Sequence, residues 1–436
     1  MRRLGGSSAR ALCTAAMDAD PAPSVSRRIR ATVPPVIVAT KRLIAEGGGS
    51  DRVLSLAQGV VHWGIPEEAR RRATMALEGD LSTVSGYGPC EGIPELRRAI
   101  QQKLHDENGL DDVDVMVTAG ANQAFMNVIL SIADADSKVA VFKPYYFNHI
   151  MAIQMTEGGP GIVYGPCDAE TLQPDAAWLE HELERSPDVR AVVVVTPNNP
   201  TGVIVPDAQL RRLAQITASR GVWLVVDNTY ENFVYDDFSV SHITGPNVLN
   251  IFSFSKCYGM MGWRMGYIAY PMANAALADS LLKVQDTIPI CPTQISQQVA
   301  LGALEAGAPW IAEHVQSLAE NRANAIRALE PLEASSVAPS QGAIYLWAKL
   351  PSGTRIGAAA AAVSGSAGSA GIPDPSDDEA VVAYLVKEHG VCIIPGSACG
   401  APGYIRVAFA NLQPDVCRVA CDRLRAGLEA IMRGIH

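Results

Sequence analysis

The chain has 436 residues, 48% of them hydrophobic and 18% charged, which at roughly 150 residues per domain allows two or three packed domains. Its 35 basic against 45 acidic side chains give a net charge of −10, so the basic face of a nucleic-acid binder is missing. No apolar run approaches the roughly eighteen residues that span a bilayer, and neither nucleic acid nor membrane is expected as a partner.

In chain order, Arg2, Arg3 and Arg10 precede any acid, the first being Asp18. That composition suits an organelle transit peptide and equally an unstructured basic end with Met17 as the start. Residues 1–29 are therefore set apart, and the compartment reads as cytoplasmic, or as mitochondrial or plastid if the segment is a targeting one. From Val113 onward, β-branched runs alternate with helical periodicity, which predicts an α/β fold whose mostly parallel sheet is covered on both faces. A helix over 121–133 places Phe125, Val128, Ile129 and Ile132 on one side. Strands are expected over 138–142, 191–195, 222–226, 248–252 and 265–269, with a helix over 207–220 closed by Gly221. Two amphipathic helices near 273–287 and 293–306 follow.

A long helix over about 310–332 marks the hinge to a smaller α+β unit. That unit has strands over 343–349, 391–394 and 404–409, and a last helix from Pro414. An Ala/Gly/Ser tract makes 357–375 a flexible surface insertion. The chain thus divides into a large domain, 67–319, and a small one built from 30–66 and 320–436. The nine cysteines contain no Cys-x-x-Cys pair, which favours a reducing compartment. Cys417 and Cys421 sit one helical turn apart with no third ligand nearby, so they read as neutral thiols and no metal is expected.

Chemistry concentrates after the strands. In Phe252-Ser253-Phe254-Ser255-Lys256, the lysine sits among small and aromatic residues, where a solvated surface charge would be out of place. A desolvated lysine is nucleophilic and forms a Schiff base with an aldehyde; Ser253, Ser255 and Arg264 would suit a phosphate on that same molecule. Asp227, in Val225-Val226-Asp227-Asn228-Thr229-Tyr230, would read as a turn or cap residue if it stood alone. Beside such a lysine it suits the pyridine nitrogen of pyridoxal phosphate, which a buried carboxylate keeps protonated, and Tyr230 would bond the phenolate oxygen. Thr196-Pro197-Asn198-Asn199-Pro200-Thr201-Gly202 follows another strand, at the edge where open α/β sheets bind ligands. Gly120-Ala121-Asn122 opens a helix whose free N–H groups seat an anion.

Together these motifs resemble the fold type I, pyridoxal-phosphate-dependent aminotransferases of class I/II, over about residues 30–434. The resemblance implies an α/β large domain with a seven-stranded sheet and a smaller α+β domain. It implies that Lys256 carries the cofactor, with Asp227 on its ring nitrogen and Asn199 and Tyr230 on its phenolate oxygen. Gly120, Ala121, Asn122, Ser253, Ser255 and Arg264 would hold the phosphate, joined by Tyr87 from the other subunit of a homodimer. Tyr146 would stack on the ring, and Arg406 would grip the substrate α-carboxylate with Asn199 and Gly59.

Ser55-Leu56-Ala57-Gln58-Gly59-Val60-Val61, the stretch from Val117 to Phe125 and that from Phe252 to Gly262 are similar to plant aromatic aminotransferases, which pass the amino group of methionine to aromatic 2-oxo acids. The implied partners are amino acid and 2-oxo acid substrates. Dicarboxylate-specific relatives carry a second arginine in the stretch that here reads Asp286-Thr287-Ile288-Pro289-Ile290-Cys291-Pro292-Thr293, without a cation. Trp63 would either pack on a substrate ring or thioether, or only pin its loop. A pyridoxal-phosphate-dependent carbon–sulfur lyase, or an aminotransferase of other specificity, is the alternative for such a site. An NAD-dependent oxidoreductase is disfavoured, because the glycines of Gly86-Tyr87-Gly88-Pro89-Cys90-Glu91-Gly92 are misspaced for a dinucleotide fingerprint and no long β-run leads into them.

Overall fold

The computed structural model describes residues 25–156, 161–351 and 377–433. The expected 357–375 insertion and the basic segment up to residue 24 lie outside them. The strands are β1 Leu54–Ser55, β2 Val113–Thr118, β3 Lys138–Lys143, β4 Gly161–Pro166, β5 Val189–Val195, β6 Trp223–Asp227, β7 Val248–Ser253, β8 Gly266–Pro271, β9 Tyr345–Lys349, β10 Val391–Cys392, β11 Ile394–Pro395 and β12 Tyr404–Ala408.

Seven of them form one sheet in the order β2-β8-β7-β6-β5-β3-β4. β8 runs antiparallel to both neighbours, and the remaining pairs are parallel. This is the expected mostly parallel α/β sheet. Its central strands read as unbroken Val/Leu/Ile runs because both faces are covered. Val193, Val225 and Leu249 pack with Phe125, Val128 and Ile129 on one side. Val192, Val194, Leu224 and Val226 pack with Leu179, Leu210 and Leu213 on the other. Each such side chain contributes roughly 1.5–3 kcal/mol through burial, which fixes the register that brings the ends of β5, β6 and β7 side by side.

Five short strands lie outside this sheet. β1 pairs in parallel with β10, and β11-β12-β9 form an antiparallel three-stranded sheet. A single apolar core links them to the large sheet, running from Leu56 through Val115, Tyr230 and Phe252 to Leu346, Ile405 and Leu424.

Three expected boundaries move. The helix expected over 310–332 is instead the end of Gln294–Ser317, kinked at Gly307, followed by a separate helix Ala319–Ala328. Gly307 adopts φ 67°, a left-handed angle natural to glycine, and Pro309 tolerates the start of the turn that follows. The strand expected from 343 begins at Tyr345, since Ala343 at φ 59° is not extended. The 391–394 strand divides at Ile393 into β10 and β11, which belong to different sheets. Cys417 and Cys421 are buried in the last helix, Pro414–Arg433, with sulfurs 3.9 Å apart. Among the described residues, no helix is long and apolar enough to cross a membrane.

Candidate active site

The loops after β5, β6 and β7 open into one cavity of about 110 Å³. Asp227, the last residue of β6, is buried on its wall. Its Oδ1 accepts the Thr229 backbone N–H at 3.0 Å, and its Oδ2 lies 3.0 Å from His149 Nε2. Burial alone would raise the carboxyl pKa, but the His149 and Thr229 hydrogen bonds outweigh it and hold the group below its ordinary value. An anion is therefore kept charged at the bottom of a pocket.

Lys256, three residues after the end of β7, lines the same cavity, its Nζ 5.8 Å from the centre of the Tyr230 ring. Burial lowers its pKa to about 8, against the opposing pull of Asp227. At that value a substantial share of the amine is neutral, and hence nucleophilic, near physiological pH.

A third group of donors meets where β2 turns into the helix Ala121–Ile132. Gly120 turns the chain at φ 81°, and a Cβ there would overlap the Arg264 guanidinium. Gly266 of β8 likewise lies so close that a Cβ would come within 2.8 Å of Ala121 N and Phe252 O. Arg264 donates from Nη1 to Met261 O at 2.9 Å and from Nη2 to Ala119 O at 3.3 Å. Its guanidinium, the hydroxyls of Ser253 and Ser255, and the first N–H groups of the helix together make an anion seat.

The other end is set by Arg406 in the middle strand of the small sheet, 1% exposed. Nη1 donates to Asn199 Oδ1 at 2.8 Å and Nη2 to Ala57 O at 2.7 Å, while Nε has no partner. The guanidinium also lies 4.3 Å from the Tyr345 ring centre and 5.8 Å from that of Phe147. Among the described residues no carboxylate pairs with it. A buried cation left this way costs several kcal/mol, a deficit that an incoming anion would remove.

The protein-family model for aminotransferase class I and II matches residues 51–424. The chain belongs to that family. Aromatic aminotransferase ISS1 of Arabidopsis thaliana is 47% identical to this aminotransferase, over 94% of the chain and 97% of the relative. An aspartate aminotransferase of Rhizobium meliloti is 28% identical, over 87% and 90%. The crystal structure of an aminotransferase from Mycobacterium tuberculosis superimposes with a TM-score of 0.79 at 27% identity, covering 94% of this chain and all of that one (100%).

In this aminotransferase the cavity brings together Ala121, Asn122, Tyr146, Asn199, Asp227, Tyr230, Ser253, Ser255, Lys256 and Arg264. Gly59 approaches from β1's side, so close to the Tyr345 hydroxyl that a Cβ there would overlap it. Gly59, Gly120, Trp63, Tyr87 and Arg406 are not on the cavity wall, Tyr87 being the residue expected to come from a second subunit. Tyr87 is 84% exposed, and Trp63 is buried between the rings of Phe233 and His314, centres 6.3 and 5.4 Å away. Sequence reasoning missed His149, Thr229 and Tyr345. His149 stacks on Phe125 at 4.1 Å while bonding Asp227; a histidine one helical turn after Tyr146 was the signal available.

Proposed function

We propose that the cavity binds pyridoxal phosphate and that the enzyme passes the amino group of methionine or an aromatic amino acid to an aromatic 2-oxo acid such as phenylpyruvate or indole-3-pyruvate. One observation carries the reading: a buried anion at Asp227, a lysine amine with pKa about 8 and an anion seat surround a single cavity. The donor set fits the cofactor group by group. The phosphate suits the seat around Arg264, the ring nitrogen suits Asp227, the phenolate oxygen suits Tyr230 and Asn199, and the ring face suits Tyr146.

When bound, the cofactor supplies an electron sink for negative charge at the substrate α-carbon. The chain's own groups do the rest. Asp227, oriented by His149, keeps the ring nitrogen protonated. Arg406 receives the α-carboxylate as a fork, with Asn199 beside it, and so turns the α-hydrogen toward Lys256. Nζ of Lys256 removes that proton as general base and redelivers it as general acid.

The substrate class rests on the 47% identity to a relative named for aromatic substrates, against 28% to one named for aspartate, and on the stretch from Asp286 to Thr293, the end of a helix and the turn after it. That stretch offers no cation, so a second carboxylate reaching it would find no partner. The expected result is a kcat/KM for methionine with phenylpyruvate at least about tenfold above that for aspartate with 2-oxoglutarate. The reverse ranking in a panel of donors and acceptors would refute the assignment.

We further propose a homodimer. Tyr87 is 84% exposed, and Met75, Leu77 and Leu81, close to it in the chain, are 64%, 56% and 53% exposed, large apolar groups that a second copy would cover. Light scattering on the cofactor-loaded enzyme should give twice the chain mass. A monomer that keeps its cofactor and turns over would contradict the shared site.

A further inference from the structure

Tyr345, at the start of β9, is 2% exposed and touches both ends of the site without lining the cavity. Its ring lies 4.3 Å from the Arg406 guanidinium, and its hydroxyl lies 2.5 Å from that of Tyr230. Gly59 presses on the same hydroxyl from the other side. A pair of hydroxyls this close shares one hydrogen, so one phenol donates and the other accepts. The cation on the Tyr345 ring draws electron density from it and makes that hydroxyl the better donor. Tyr230 then accepts from Tyr345, and its own hydrogen is left to point into the cavity.

We propose that Tyr345 is a positioning residue: it sets Tyr230 as a hydrogen-bond donor toward the cofactor and holds the Arg406 fork flat, so that one side chain registers the cofactor end of the site with the carboxylate end. The proposal rests on the reading that the cavity binds pyridoxal phosphate.

Tyr345→Phe keeps the ring under Arg406 and removes only the hydroxyl. Cofactor-free protein is titrated with pyridoxal phosphate by its intrinsic fluorescence. Affinity should fall about fivefold, the worth of one ordinary hydrogen bond, while the KM for methionine in the loaded enzyme changes by less than about twofold, because the stacking face is intact. In a Tyr230→Phe background, Tyr345→Phe should cost no further affinity, since the donor it orients is gone. Tyr345→Leu removes the ring as well and should raise the KM for methionine about tenfold. Unchanged affinity in Tyr345→Phe, or additive losses in the double variant, overturns the proposal. Failure of the unmodified chain to bind pyridoxal phosphate would instead overturn the functional reading, and this proposal with it.

Discussion

Lys256→Ala is expected to abolish the absorption band of the lysine–cofactor Schiff base and to lower turnover by at least roughly 10²- to 10⁴-fold, the range that a positioned general base supplies. Among the described residues, no other lysine lines the cavity. The pH dependence gives a second arm. Burial lowers the Lys256 pKa to about 8 with Asp227 opposing, and only the neutral amine attacks an aldehyde. Capture of pyridoxal phosphate by cofactor-free protein should therefore rise with pH up to about 8 and level off above it, whereas a solvated lysine would keep gaining up to about 10.4. Stopped-flow absorbance measures both. A variant that kept the absorption band and near-normal turnover would remove Lys256 from the mechanism, and a rate still climbing at pH 10 would remove its perturbed pKa.

What could be read from the sequence followed from locality. Asp227 ends an apolar strand and Asn199 and Lys256 follow theirs within four residues, so the apolar runs of β5, β6 and β7 announce both the sheet and the edge on which the three residues gather. The strand β4 gave no such signal because it lies at the sheet edge with its side chains largely exposed. The helices Glu67–Glu78 and Pro94–Asn108 bury only Ala69 and Ala73, and Leu96, Ile100 and Leu104, a thin apolar stripe among many charges. Tyr345 takes its meaning from a partner far along the chain: it meets Tyr230 across 115 residues, and nothing within a few residues of Tyr345 marks the encounter. Trp63 shows the converse. An indole beside a site motif suggests a substrate contact, but whether it faces a cavity or the core depends on Phe233 and His314, which come from other segments.

Arg406 also meets its partner Asn199 far along the chain, across 207 residues; it is legible only through the family resemblance, and its loss has a large expected effect. Arg406→Leu should lower kcat/KM for phenylalanine by roughly 10²- to 5 × 10³-fold, corresponding to the 3–5 kcal/mol typical of removing one partner of a buried charge pair. Both parameters should change. Binding of the carboxylate is common to ground and transition states, so its loss raises KM; the lost orientation of the α-hydrogen toward Lys256 lowers kcat. Misfolding would also lower activity, so the decisive comparison uses a substrate without the carboxylate. 2-Phenylethylamine keeps the ring and the amine but offers nothing for the fork to hold. The unmodified enzyme should therefore prefer phenylalanine strongly, and Arg406→Leu should erase most of that preference while leaving the low rate with 2-phenylethylamine within about threefold. A preference that survived the substitution would place the carboxylate elsewhere, and the unpartnered Nε of Arg406 would then need a different anion.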